Sequence, residues 1–436
     1  MAFATPPQSP LATTSVGPKE RYTDYPMAMG VLTMIFFMWG FLTCLNDILI
    51  PHLKSIFQLN YAQAILVQFT FFGAYFLMGM PAGRLIATLG YKKGIVAGLA
   101  IAGLGALGFW PAASLHLYPA FLGALFVLAT GITVLQVAAN PYVALLGPEK
   151  TSSSRLTLAQ ALNSLGTTLA PLFGGLLILS NVVKDPTDLA ALAPAQRLLY
   201  DTQQAQAVQF PYIGLAVVLF LLATFVWLFR LPALTGTTDQ DDHDKHGFIE
   251  VLRHPHVLFG VLGIFFYVGA EVSIGSFMVN YLSMPDIGHM SEQQASHYVS
   301  FYWGGAMVGR FLGSALMAKF SPRKLLATFA AINALLVLTT MLSSGDVAMY
   351  SIIAIGLFNS IMFPTIFALG IERLGPMTSK ASSLLIMAIV GGALIPWAEG
   401  KFADHIGLQH AFFLPLLCYL YILFYGVSGS RVRTIP

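Results

Sequence analysis

Asn46 and Asp47 stand side by side in "FFMWGFLTCLNDILIP" (36–51), where nearly every neighbour is apolar and no cation adjoins them. Thr43 lies one helical turn before Asp47, so a helix here gathers hydroxyl, carboxamide and carboxyl into one polar strip. Glu271 holds a matching place far downstream, in "FYVGAEVSIG" (266–275). An acid inside a membrane-length apolar run costs about 2.5–3.5 kcal/mol on insertion scales, so it needs a reason. The chemistry open to it is narrow: it can carry a proton across, or ligate a small cation through its oxygens. The plainer alternatives are structural. Asp47, with His52 and Lys54 following, can lie close enough to the outer face to reach water, and Glu271 can be a hydrogen-bonding acid on a helix that also carries Tyr267 and Asn280.

Two pairs of amides have a helical spacing. Gln136 and Asn140 lie four apart in "LQVAANPYV" (135–143), just before Pro141, and Gln160 and Asn163 lie three apart in "LAQALNSLG" (158–166). Each pair shares one face of a helix. A neutral amide donates and accepts without the penalty of burying an ion, which suits a ligand rich in hydroxyl groups. The same groups also serve as glue between neighbouring helices. Two pairs on consecutive runs favour ligand contact. Trp39, Trp303 and Trp397 offer indole faces for stacking on the apolar side of a sugar ring, with core packing as the alternative. Trp110 and Trp227, at run ends, read as interfacial anchors.

The elements that must position these residues follow from composition. Of 436 residues, 56% are hydrophobic and 9% charged, against about 25% charged in soluble domains. The expected class is an integral membrane protein. The net charge of +3 gives no support to nucleic-acid binding. Apolar runs of about 20 residues, the length that crosses a bilayer, fall near 27–50, 61–87, 92–112, 118–146, 155–180, 209–230, 256–283, 295–319, 323–343, 346–374, 379–402 and 408–430. Runs this long favour helices over a barrel, because backbone facing lipid must satisfy itself. The fold class expected is an all-α bundle of twelve transmembrane helices in two pseudo-symmetric six-helix halves.

The same pattern sets the domains. Residues 1–26 read as a disordered cytoplasmic tail without signal-peptide organisation, and 27–230 as the N-terminal half. Residues 231–255 read as a cytoplasmic linker, 256–430 as the C-terminal half, and 431–436 as a second cytoplasmic tail. Residues 181–208 form a polar segment between runs five and six. With both termini inside, all but Lys54, Lys184, Arg197 and Lys401 of the 22 Lys and Arg residues fall on the cytoplasmic side, as the positive-inside rule requires. "GRLIATLGYKKG" (83–94) pairs with "GSALMAKFSPRK" (313–324), and "LLGPEKTSSS" (145–154) with "RLGPMTSKASS" (373–383), at corresponding places in the halves. Parallel repeats of this kind mark many secondary transporters. Arg84, Arg155, Arg310 and Glu399 lie nearer run ends, where snorkelling or orientation explains them. Cys44 and Cys418, far apart in apolar runs, make no disulfide framework or metal spacing. No phosphate loop or nucleophile triad is visible, so an enzyme has least support.

"CLNDILIPHLKSIFQLN" (44–60), "FFGAYFLMGMPAGRL" (71–85), "LQVAANPYVALLGPE" (135–149) and "RLTLAQALNSLG" (155–166) resemble the sugar:cation symporters of the major facilitator superfamily. Within it the chain is similar to the bacterial group of L-fucose permease and the glucose/galactose transporters. "YVGAEVS" (267–273) and "NSIMFPTIFALGI" (359–371) point to the glucose/galactose members. The resemblance spans nearly all of 27–430. It implies that Asp47, in the "NDIL" motif, is a protonation site, and that Gln160 and Asn163 contact sugar. The second acid of fucose permease-like chains, before "AANP", is Gln136 here, and Glu271 replaces an amide. These departures argue against fucose and leave the coupling ion open.

Taken together, the expectation is a multi-pass protein of a bacterial inner membrane. It imports glucose or galactose by alternating access, coupled to a proton, with no cofactor and working as a monomer. Asp47 and Glu271 are the cation-coupling candidates. Asn46, Gln136, Asn140, Gln160 and Asn163, with Asn280, Asn359, Trp39 and Trp303, are the sugar-binding ones. The cationic turns at Lys92, Lys93, Arg323 and Lys324 are candidates for gating or simple orientation signals. Sodium coupling is the nearest rival, with N-acetylglucosamine, mannose or fucose as other substrates. A non-transporting sugar sensor needs a larger cytoplasmic domain than the short linker and tails provide, and an apolar-drug carrier fits the amides poorly.

Overall fold

Wound at 1.5 Å per residue, an apolar run of about 20 residues reaches across roughly 30 Å of hydrocarbon with its backbone groups paired internally. The structure, a computed structural model, describes residues 25–57, 61–115, 117–177, 193–232 and 247–432, and the long elements among them are helices. The first six are α1 (Tyr25–Phe57), α2 (Tyr61–Leu89), α3 (Tyr91–Leu115), α4 (Tyr118–Leu145), α5 (Ser152–Leu177) and α6 (Pro194–Leu228). The last six are α7 (Pro255–Leu282), α8 (Glu292–Met317), α9 (Pro322–Leu342), α10 (Gly345–Gly370), α11 (Gly375–Ile406) and α12 (Leu408–Gly429). The fold is the twelve-helix bundle expected, and the chain is a multi-pass membrane protein.

Ten of the helices are long and apolar enough to cross a bilayer. The other two, α5 and α8, carry the polar runs "SSSRLTLAQALNS" and "EQQASHYVS". A polar helix survives in a membrane when its polar face turns into the bundle, as the burial of Thr157, Gln160, Asn163 and Ser164 shows for α5. Large apolar side chains such as Leu77, Leu104, Leu221 and Leu335 are exposed and form the lipid-facing surface. Helix α4 lies at the centre of its half, with Leu128–Ala144 buried all round.

Local chemistry sets several boundaries. Ser291 caps α8, accepting from the backbone N–H of Gln294, whose side chain accepts in return from the backbone N–H of Ser291. Gly90, at φ +77°, turns the chain between α2 and α3 where a side chain would strain it. Helix α6 starts at Pro194, well before its apolar span Gln209–Leu228. Proline is pre-organised for a first turn, and "AQRLLYDTQQAQAV" is rich in strong helix formers, so the polar segment continues the helix. Within the expected linker, Phe248–Leu252 forms a short helix with Val251 buried. The tails at 1–24 and 433–436, and most of the linker, lie outside the described residues.

Three of the described helices are interrupted, α12 briefly at Phe412 near its start. Helix α10 is interrupted at Ser360–Ile361, between Gly345–Asn359 and Met362–Gly370, and α11 passes through one tight turn at Ala388–Val390. The hydrogen bonds joining the first six helices to the last six gather from mid-bundle to the end carrying the linker. Ser154 and Ser314 each donate to the other's carbonyl, at 2.7 and 2.9 Å. Ser382 on α11 donates to the carbonyl of Val137 on α4 at 2.9 Å, and Glu149 lies 3.5 Å from Arg373. The bundle is therefore closed at the linker end.

Candidate functional site

On the first half, the amides of α4 and α5 stand at matched depths. Gln136 lies about 13 Å, and Gln160 about 12 Å, from the linker ends of their helices, with Asn140 and Thr157 one turn closer to that end at about 7 Å each. Gln136 donates to the hydroxyl of Tyr75 on α2 at 2.7 Å, and Asn163 donates to the carbonyl of Phe36 on α1 at 3.0 Å. The remaining capacity is unfilled. Gln136 Oε1, both side-chain atoms of Asn140, Thr157 Oγ1 and Gln160 Nε2 are buried without a hydrogen-bond partner. Buried polar atoms in native proteins are almost always bonded, so a group of orphans calls for a polar ligand or water. Trp39 is buried nearby in sequence, its ring 4.9 Å from that of Phe36.

On the second half, charge replaces amides. Glu271 on α7 lies 3.8 Å from the guanidinium of Arg310 on α8. Arg310 also donates to the carbonyl of Ser360, at the break of α10, at 3.4 Å, and across the halves to the hydroxyl of Ser164 on α5. It was expected to snorkel from a helix end. Instead its side chain is only 13% exposed, because α8 presents it to α5 and α7 rather than to lipid. Glu399, whose place along its run carries the same expectation, is fully buried, its carboxylate accepting from the hydroxyl of Ser273 on α7.

Asn359 is the hub of a separate network. Its carboxamide oxygen accepts from Asn333 and Tyr419, each at 2.8 Å, its amide donates to Tyr302 at 2.8 Å, and its carbonyl accepts from Tyr267 at 3.1 Å. Four helices thus anchor the residue that ends the first segment of α10. With its acceptor already doubly occupied and its side chain fully buried, Asn359 has the bonding of a structural joint, a different use from the sugar contact expected of it.

Several expected residues lie elsewhere. The backbone of Asn46 and Asp47 is helical in α1, and their side chains lie outside the described residues. Asn280 is exposed near the end of α7, away from the buried polar groups. Trp303 is 42% exposed, with its ring edge-on to Tyr302 at 5.1 Å. Lys92 donates to the carbonyl of Trp227 at 2.8 Å, and Arg323 pairs with Glu372 at 2.7 Å, each within its own half. Lys93 and Lys324 are exposed. Polar contacts between halves among the described residues come instead from Ser154, Ser314, Ser382, Arg310, the Glu149–Arg373 pair and the Thr168 hydroxyl on Met307. The only sequence signal for these was the matched repeat that placed "TSSS" and "TSKASS" at the same end of each half.

The chain is similar to known proteins over most of its length. A family described as "Major Facilitator Superfamily" matches residues 27–396. The chain is 50% identical over 431 residues to the "Glucose/galactose transporter" of Brucella abortus biovar 1 (strain 9-941), covering 99% of this chain and 100% of that one. It is 36% identical over 416 residues to the "L-fucose-proton symporter" of Escherichia coli (strain K12), covering 94% and 95% of the two. Its fold superposes on the crystal structure of FucP, the E. coli fucose:proton symporter, in the outward conformation. The TM-score is 0.86 and the identity 35%, over 94% of this chain and 100% of that one.

Proposed function

The chain belongs to the Major Facilitator Superfamily, and from that premise we propose that it is a proton-coupled symporter importing a hexose, glucose or galactose, across a bacterial inner membrane. The observation that carries the substrate class is the row of orphaned amide and hydroxyl groups on α4 and α5. Such groups bind hydroxyls that both donate and accept, and leave an apolar ligand nothing to repay their burial. The half-identical glucose/galactose transporter points to the same substrates.

Transport follows from closure at one end. Placing the linker end in the cytoplasm, with both termini, agrees with the distribution of Lys and Arg. The arrangement described then receives sugar from the periplasm. Gln136, Asn140, Gln160 and Asn163 bind it, with Trp39 packing behind. Arg310 holds α5 against α8 until the halves rock about the site. Asp47 takes a proton from the periplasm and releases it inside. Glu271 sets the position of Arg310 by attraction, so a proton on Glu271 loosens the guanidinium from its own half. Linkage then requires proton and sugar each to bind better in the other's presence.

Sodium is the second reading, with Asp47 or Glu271 as oxygen ligands. Uptake of labelled glucose and galactose into proteoliposomes, with proton and sodium gradients imposed separately, tests both. Accumulation under the proton gradient alone is the expected result. Accumulation under sodium alone overturns proton coupling, and accumulation of neither hexose under either gradient overturns the substrate assignment.

A further inference from the structure

Helices α7 and α11 run parallel from the linker end and meet once per turn. A Cβ on Gly391 would press on Phe265, and one on Gly269 would press on Ile395, so these rungs allow close approach because each has a glycine. Four residues further along both helices comes the rung Ser273–Glu399, with Ser273 donating to the carboxylate. Gly391, Ile395 and Glu399 therefore share the face of α11 that packs on α7, and Glu399 has no exposed surface.

Among the described residues, the surroundings of Glu399 hold no cation. From α7 it meets Ser273, with Glu271 two residues earlier and engaged with Arg310. From α12 the titratable groups facing it are Cys418 and Tyr419, and Tyr419 is already committed to Asn359. From α2 the neighbour of this segment is Phe72, against Gly392. Lys401, His405 and His410 are exposed at the end of the bundle opposite the linker. One carboxylate oxygen, Oε1, has no hydrogen-bond partner. A carboxylate buried with one hydroxyl and no cation is strongly disfavoured, whereas the neutral acid fits. A rung built only for adhesion needs no ionisable group, since an amide makes the same bond.

The same helix links this acid to the moving end. The first segment of α11 holds the halves together through Ser382 and Val137, and the turn at Ala388–Val390 separates that segment from the Ser273–Glu399 rung. A bend at this turn as the linker end opens would shift the second segment of α11 along α7. Resting on the reading of the chain as a proton-coupled hexose symporter, we propose that Glu399 is a second proton-binding site, loaded from the periplasm while the linker end is closed and emptied when α11 shifts. The carboxylate gains an O–H bond from a periplasmic proton and loses it to cytoplasmic water, with no other reactant.

The test is the proton-to-hexose ratio of full-length protein in liposomes, read from the steady accumulation of labelled glucose or galactose against an imposed pH difference. One pH unit supports about 100-fold accumulation with two protons per sugar and about 10-fold with one. Wild type at about 100-fold and Glu399→Gln at about 10-fold, on protein that still exchanges labelled sugar, is the expected result. A wild-type ratio of one, or an unchanged ratio in Glu399→Gln, overturns the proposal while leaving the symporter reading intact. If Glu399→Gln does not exchange sugar, Ser273→Ala decides. Loss of the hydroxyl that supports the ionised form should move the pH dependence of uptake to more alkaline values, and an unmoved profile overturns the proposal. Wild type that concentrates neither hexose under a pH gradient overturns the symporter reading and this proposal with it.

Discussion

Replacing Ser164 by Ala removes the acceptor on α5 for the Arg310 guanidinium while leaving the Glu271 contact and the Ser154–Ser314 exchange in place. A hydrogen bond to a charged group contributes about 1.5–3 kcal/mol net. At about 1.4 kcal/mol per tenfold, the linker-closed arrangement should lose roughly 10- to 150-fold against the linker-open one. Ser379 at the start of α11 offers the readout. It is buried at the closed end and its hydroxyl has no partner, so Ser379→Cys places a thiol there without breaking a bond. In inside-out vesicles, alkylation of that thiol by a membrane-impermeant maleimide should accelerate by the same factor when Ser164→Ala is added. Protein carrying only Cys44 and Cys418 supplies the background. An unchanged alkylation rate refutes the idea that Arg310 holds the end shut. Ser164→Ala should add little to Arg310→Gln, since the Ser164 hydroxyl has then already lost its donor.

Asp47→Asn should lower the accumulation supported by one pH unit about tenfold, as Glu399→Gln does, yet permit exchange of labelled sugar; a variant that concentrates sugar as well as wild type removes Asp47 from coupling. Gln160→Ala should raise the Kd for hexose about 5- to 10-fold, the loss of about 1 kcal/mol of neutral hydrogen bonding, and an unaltered calorimetric Kd places the sugar elsewhere. Asn359→Ala orphans Asn333 and Tyr419 at once, while Tyr302 keeps its donation to the carbonyl of Glu271. At about 1–3 kcal/mol for each buried orphan, thermal stability should fall by several kcal/mol in all, while sugar affinity of the folded fraction holds. Lost affinity at full stability would return Asn359 to the binding site.

Hydropathy made the twelve helices legible because the bilayer imposes both length and internal hydrogen bonding, and neither depends on tertiary contacts. It failed where a helix outlasts its apolar run. Helix α6 begins at Pro194 because Ala, Gln and Leu favour helix whether or not lipid surrounds them. It also hid the break in α10, since the run 346–374 is uninterrupted and the break occurs where Asn359 is tied to α7, α8, α9 and α12. Position along a run misplaced Arg310 and Glu399 for a related reason. Distance from a helix end says nothing about the direction a side chain takes around the helix. For Glu399 the signal was present in the four-residue spacing from Gly391 through Ile395, a face with a glycine to bring α7 close. The amide pairs were legible because spacing alone put them on shared faces. Asp47 was singled out by its apolar surroundings, and its role as a protonation site by resemblance.

The polar chemistry is divided unequally, and the division bears on mechanism. Among the described residues, orphaned amide atoms gather on α4 and α5 of one half, with Asn333 Oδ1 alone on the other, whereas the buried acids Glu271 and Glu399 lie on that second half. When the halves rock, distances within a half persist and distances between halves change. Ligand contacts made within one half therefore survive the motion, which lets sugar stay bound while its exit changes side. A proton site must instead feel the motion, through a partner that moves or through a helix that bends. Glu271 meets the first condition through Arg310, which reaches across to Ser164. Glu399 meets the second through α11, whose near segment is bonded to α4 and whose far segment is packed on α7. Placing either acid on the rigid α4–α5 face would leave it blind to the transition it has to power.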